Sequence, residues 1–135
     1  GTAYTIECWF KKTGATTAGA VARLFNGVLL WRLQATSTSN QWNINAGGTS
    51  TNFTATTGDW HFFYIFIGTD NVAVTKIDGT TVQTTSALSA WTGTPYLVLN
   101  PAVAVSGGDL RIDDLRITPG VARSFAVPTA AFPDS

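Results

Sequence analysis

The chain has 135 residues and a mass of 14.3 kDa, which is enough for one ordinary domain and too little for two. Hydrophobic residues make up 44% of it, and this share excludes an intrinsically disordered chain. Eight basic and eight acidic side chains cancel, so the chain as a whole has no net charge with which to attract nucleic acid or an anionic membrane.

Hydroxyl groups supply most of the polarity. The chain has 22 Thr and 8 Ser, against one Glu and three Lys. Thr, Val, Ile and the aromatic residues favour pleated strands, whereas Glu and Lys favour helices, so the composition predicts an all-β fold. Cys8 is the only cysteine, so an internal disulfide is excluded and the redox compartment cannot be read from it.

The first half of the chain predicts five strands. Residues 4–11 alternate apolar and polar side chains with the period of a half-buried strand. Asn26 and Gly27 separate two apolar segments and tolerate the positive φ angles of a tight hairpin, which favours strands there over a helix at 17–25. The predicted strands are 4–11, 21–25, 28–33, 41–46 and a short strand through Phe53.

The second half predicts a similar series. Residues 60–67 are apolar at nearly every position, which indicates a strand covered on both faces. Turn pairs follow at Asp70 with Asn71 and at Asp78 with Gly79. The predicted strands are 60–67, 72–77, 80–84, 96–99 and 110–117. Nine or ten short strands separated by turns are typical of a sandwich or barrel.

No internal repeat or linker divides the chain, so we expect one domain. Residues 1–120 are predicted to form the β-sandwich. Residues 121–135 are predicted to be an extended C-terminal tail, interrupted by Pro128 and Pro133 and packed on the same domain through Phe125 and Phe132.

Three segments, in this order and spacing, resemble a known superfamily. They are YTIECW (4–9), WHF (60–62) with the later IDG (77–79), and LRIDDLRI (110–117). They resemble the laminin-G-like and pentraxin-like members of the concanavalin A-like jelly-roll superfamily. The resemblance implies an antiparallel two-sheet jelly-roll sandwich, often with a sugar or protein partner at the concave face or edge loops. It does not imply one function.

The ending GVARSF (120–125), followed by Pro128, Thr129 and FPD (132–134), resembles such modules in bacteriophage virion proteins, which usually have Tyr where this chain has Ser124. The resemblance implies a non-enzymatic structural module of the virion surface, decoration or tail. Its partners would be other virion proteins or copies of itself. Relatives usually carry a further strand before the first segment. We therefore expect a lost upstream segment, an adjacent subunit or another virion protein to cover the sheet edge near the closing strand by strand addition. The alternative is that the edge strand is short, twisted or covered by the 121–135 tail.

The sequence assigns no catalytic residue. Glycoside hydrolysis needs two carboxyl groups across the scissile bond, but Glu7 is the only Glu, and the adjacent Asp113 and Asp114 point to opposite faces of a regular strand. His61, the only histidine, lies in an apolar strand and is predicted to be a hydrogen-bonded structural residue. We therefore expect a protein that is not an enzyme.

Calcium is the one cofactor that the sequence leaves open. Zinc needs three or four Cys, His or carboxylate ligands, and His61 with Cys8 cannot supply them. Calcium takes six to eight oxygen ligands, for which the candidates are Asp113, Asp114 and Asp70. The alternative is that these aspartates pair with neighbouring arginines or accept backbone hydrogen bonds.

Trp42 is the sequence's candidate for sugar binding, because Asn40, Asn43 and Asn45 flank it and could bond sugar hydroxyls. Trp91, in the polar loop 89–94, is a second candidate. The alternative for Trp42 is burial of the indole against a sheet. The sequence therefore leaves two functions open. One is a virion module that acts by protein contact, and the other is a receptor-recognition module that binds a host surface glycan.

Overall fold

The computed structural model describes residues 3–85, 88, 94–99, 108–120 and 127. Within this part the protein is all-β, with ten antiparallel strands and no helix. The strands are β1 (Tyr4–Lys12), β2 (Gly19–Asn26), β3 (Val28–Ala35), β4 (Gln41–Ala46), β5 (Thr49–Thr54), β6 (His61–Ile67), β7 (Ala73–Ile77), β8 (Thr80–Thr85), β9 (Tyr96–Leu99) and β10 (Leu110–Pro119). Each predicted strand is confirmed, with small shifts at its ends. The described residues hold no helix that is long and apolar enough to cross a membrane.

The strands form two five-stranded sheets. Sheet A has the order β10-β1-β6-β7-β8, and sheet B has the order β5-β4-β3-β2-β9. The first strand therefore lies inside sheet A, and β10 is the last strand of that order in the described residues. Whether a partner covers β10 stays a prediction. The expected tail falls almost wholly outside the described residues, as does Trp91.

The core lies between the sheets because the side chains of each strand alternate between its two faces. Phe10 of sheet A packs edge-on against Trp42 of sheet B, with 4.6 Å between the ring centroids. Trp31 and Phe63 make a second inter-sheet contact at 5.5 Å. Aromatic pairs of this kind bury large apolar areas and fix how the sheets lie on each other.

Strand β6 is buried on both of its faces, as its unbroken apolar sequence predicts. Phe63 and Ile65 belong to the core, while Phe62 and Tyr64 face the other way and are also buried. Trp9 packs against Phe62 on that side, at a centroid distance of 5.2 Å.

Tight turns set the strand register. Gly27 has a φ of +71° between β2 and β3, and Asp78 and Gly79 have φ angles of +49° and +90° between β7 and β8. These positive angles match the right-handed twist of a hairpin, and glycine adopts them at low cost. Both hairpins predicted from these turn pairs are confirmed.

Candidate functional site

Trp42 does not form a sugar platform. Its side chain is 0% exposed and packs on Phe10. Because successive side chains of a strand point to opposite faces, Trp42 points into the core while Asn43 and Asn45 point outward. The prediction that Trp42 stands beside these amides is therefore wrong, and the alternative, burial of the indole, is the one the structure has.

Asn40 has a structural role in the turn before β4. Its φ is +58°, an angle that asparagine tolerates better than most residues. Its Oδ1 accepts a hydrogen bond from the Thr57 N–H at 2.7 Å, and its own N–H donates to Thr57 Oγ1 at 3.2 Å. Asn40 thus ties two loops together and does not join the outward amides.

The outward surface of sheet B carries a row of polar side chains across four adjacent strands. In register, Ser50 of β5 lies opposite Asn45 of β4, Asn45 opposite Arg32 of β3, and Arg32 opposite Arg23 of β2. Neighbouring strands are about 4.8 Å apart, so this row is roughly 14 Å long. That length suits an extended ligand better than a single small group.

A second row runs beside the first. Asn52 of β5 lies opposite Asn43, and Asn43 lies opposite Gln34 of β3. Asn43 is only 8% exposed, and its Nδ2 donates hydrogen bonds to Ser50 Oγ and Asn52 Oδ1, each at 2.8 Å. Asn43 therefore fixes the two exposed side chains of β5 and acts as a positioning residue.

An aromatic pair borders the first row on the β2 side. Phe25 of β2 and Tyr96 of β9 stack with 5.7 Å between ring centroids and 20° between ring planes. Tyr96 is 58% exposed, and the Arg23 guanidinium lies 5.8 Å from the centroid of Phe25. The stack therefore presents an exposed aromatic surface to a ligand, beside the positively charged Arg23 guanidinium.

These outward residues form what we call the polar face. It comprises Arg23, Phe25, Arg32, Gln34, Asn43, Asn45, Ser50, Asn52 and Tyr96. Two of its amides, Asn43 and Asn45, were expected from the sequence. The two arginines were missed, although each alternates with inward apolar residues in its strand, the pattern that marks an outward side chain.

The calcium candidates lie apart from this face. The Asp113 carboxylate accepts a hydrogen bond from the Asp114 N–H at 2.8 Å, and the Asp70 carboxylate accepts one from the Val72 N–H at 3.1 Å. Asp114 has a φ of +50° at a bulge, where β10 places two residues opposite Cys8 of β1, so regular alternation does not hold there. The described residues include no group of three or more His, Cys, Asp or Glu side chains that could hold a metal.

His61 is hydrogen-bonded through both ring nitrogens, as the sequence predicts. Its Nδ1 lies 2.7 Å from Asp78 Oδ2, and its Nε2 lies 3.1 Å from both the carbonyl and hydroxyl oxygens of Thr56. Asp78 Oδ1 also accepts the Phe62 N–H at 2.8 Å. The imidazole thereby links the start of β6 to the β7–β8 turn.

No protein-family model and no curated protein sequence matches the chain. Solved structures do match. An alginate lyase from Corynebacterium sp. has a TM-score of 0.66 and 10% identity over 88% of this chain and 59% of its own. The marine family 7 alginate lyase from Zobellia galactanivorans has a TM-score of 0.64 and 13% identity over 88% and 62%. The receptor-binding domain of botulinum neurotoxin type G has a TM-score of 0.64 and 11% identity over 85% and 34%.

The chain has a concanavalin A-like jelly-roll fold. It spans about three-fifths of the length of these two lyases and about a third of the toxin chain. At such low identity the likeness shows the shared fold, whereas function has to be argued from the site.

Proposed function

We propose that this jelly-roll domain binds carbohydrate on the polar face. The observation that carries the proposal is the cross-strand row from Ser50 through Asn45 and Arg32 to Arg23, with the exposed Tyr96 stack beside it. The proposed binding surface therefore consists of residues from all five strands of sheet B, and Trp42 is not part of it.

The chemistry of the row suits a sugar. Every hydroxyl of a sugar both donates and accepts a hydrogen bond, and amide side chains such as Asn45, Asn52 and Gln34 offer donors and acceptors together. The flat ring of Tyr96 suits the apolar face of a pyranose. Because strands hold these groups in fixed register, binding requires little ordering of the protein.

We further propose that the domain binds sugar without hydrolysing it. The described strands of sheet B contain no Asp, Glu or His. Hydrolysis of a glycosidic bond needs an acid carboxyl and a second carboxylate on opposite sides of that bond. Glu7, the only Glu, is buried in β1 of sheet A beside Arg116, 3.8 Å from its Nε.

The proposal is tested by a glycan array, followed by calorimetry on the full chain. We expect Asn45→Ala and Tyr96→Ala to weaken binding by about tenfold or more, since each removes a contact at the centre or rim of the face. Trp60→Ala is the matched control, because Trp60 is also an exposed aromatic residue but precedes β6 of sheet A. A folded wild-type chain that binds no glycan, or variants that bind normally, would contradict the proposal.

A virion structural role is the second candidate. Its support is the resemblance of residues 120–134 to the endings of bacteriophage virion modules. In that role the domain would lie on the particle surface, contact other virion proteins or copies of itself, and still use the polar face on a host glycan. Detection of the chain in purified particles by mass spectrometry tests this role, and its absence from them would contradict it.

A further inference from the structure

Charge is distributed unevenly between the two sheets, although the whole chain is neutral. The five described strands of sheet B hold two charged residues, Arg23 and Arg32, and no acidic residue. Since the chain has eight basic and eight acidic side chains, sheet B carries a charge of +2 and the rest of the chain −2. The chain therefore has a positively charged surface on sheet B although its net charge is zero.

The two arginines lie directly opposite each other on β2 and β3. Side chains in this position have their Cβ atoms about 5 Å apart, and two like charges there repel. The ion pairs among the described residues join Arg111 to Asp109 and Arg116 to Glu7, and Asp78 contacts His61, so none of these contacts neutralises the two arginines.

Both guanidinium groups have unused hydrogen-bonding capacity. The Nε of Arg23 and the Nε of Arg32 are each buried without a hydrogen-bond partner in the described structure. Arg23 lies over the Phe25 ring, and Asn45, across from Arg32, supplies an uncharged neighbour. The two opposed guanidinium groups at the middle of the polar face therefore repel each other, and an anionic ligand bound between them would remove that repulsion.

We infer that the sugar bound by the polar face is anionic, with its acidic group held between Arg23 and Arg32. This inference rests on the proposed carbohydrate-binding function. Guanidinium groups form paired, charge-assisted hydrogen bonds to the oxygens of a carboxylate or sulfate, and such an anion removes the repulsion between the two arginines. The outward amides bond the uncharged hydroxyls of the same chain. The ligand class is therefore an acidic polysaccharide, either a uronate or a sulfated glycan.

The test measures binding of the full chain to three probes by calorimetry: oligogalacturonate for carboxylate, dextran sulfate for sulfate, and dextran as the neutral glycan. We expect binding to at least one anionic probe that weakens as salt is added, and none to dextran. Arg23→Gln and Arg32→Gln are expected to weaken that binding by about tenfold or more. Arg111→Gln removes the same charge from an exposed position in sheet A and is expected to leave binding unchanged.

A second readout separates a binding role from a structural one. Since each substitution removes one member of a repelling pair, folded Arg23→Gln and Arg32→Gln are expected to melt at the wild-type temperature or above it. A lower melting temperature in both variants would make the arginines structural and overturn the inference. Tight binding to dextran that survives both substitutions but is lost in Tyr96→Ala would also overturn it, while leaving the proposed function intact. If the folded chain binds no glycan at all, the proposed function itself fails.

Discussion

Trp42 stabilises the sandwich from the side of sheet B. Its indole is fully enclosed between the sheets and meets Phe10 edge-on. Its two chain neighbours point away from the core. Strand β4 therefore contributes Trp42 to the core and the next residue, Asn43, to the polar face.

Replacing Trp42 is therefore expected to affect stability and not recognition. Trp42→Ala should lower the free energy of unfolding by about 3–5 kcal/mol, because it leaves a large cavity in the core. Urea unfolding measures this loss. The more conservative Trp42→Phe should fold and bind glycan as the wild type does. A folded Trp42→Phe variant with normal stability and lost binding would show that Trp42 contacts ligand after all.

Cys8 gives a second test of the core at single-residue scale. Its side chain is 1% exposed in the middle of β1, and burial raises the pKa of its thiol far above the ordinary value. Because the thiolate is the reactive form, the native protein is expected to resist a thiol reagent such as Ellman's reagent at neutral pH and to react fully in guanidinium chloride. Fast reaction of the native protein would mean that β1 is less enclosed than the structure shows.

At the scale of elements, the β2–β3 hairpin decides where the cations of the polar face lie. Gly27 closes it with a φ of +71°, and bulges between Ala20 and Ala22 and between Leu24 and Phe25 adjust the pairing on either side of Arg23. This register puts Arg23 opposite Arg32.

Gly27 is predicted to matter for its backbone conformation alone. A Cβ placed there meets no atom within 4 Å, so Gly27→Ala introduces strain from the positive φ and no clash. We expect it to destabilise the fold by about 1 kcal/mol, and Gly27→Asn by less, because asparagine tolerates this region better. Thermal or urea unfolding of the pair measures the difference. Equal stability of Gly27→Ala and wild type would contradict the hairpin geometry.

The strands can be predicted from the local sequence, but the candidate site can be predicted from it only in part. The alternation in 4–11 and the turn pairs Asn26–Gly27 and Asp78–Gly79 depend on neighbouring residues, so they can be read from the chain. The polar face depends on which strands pair and in which register. Trp42 and the asparagine that follows it point to opposite faces of the sheet, because side chains along a strand repeat with a period of two. Tyr96 reaches Phe25 only through the pairing of β9 with β2, which no local pattern indicates.

At the scale of the whole molecule, the apolar core between the sheets contributes more to stability than the exposed charges do. The ion pair between Arg111 and Asp109 is exposed on both side chains, and such pairs contribute little. The described residues also present no cluster of metal-ligating side chains.

We therefore expect the melting temperature to change only slightly when EDTA is added or when salt is raised. Scanning calorimetry of the full chain measures both. A fall of more than ~10 °C with EDTA is too large for a minor surface site in a domain of this size. Such a fall would establish a structural calcium site and restore Asp113, Asp114 and Asp70 as candidate ligands.

The most direct test of the central claim, that the outward face of sheet B is the carbohydrate-binding surface, is an NMR titration of the isotopically labelled chain with an oligosaccharide that it binds. We expect the amide signals of Arg23, Arg32, Asn45 and Asn52 to shift together and saturate with one affinity, while the signal of Trp60 stays in place. Shifts concentrated around Trp60 and sheet A, with the polar face unchanged, would contradict it.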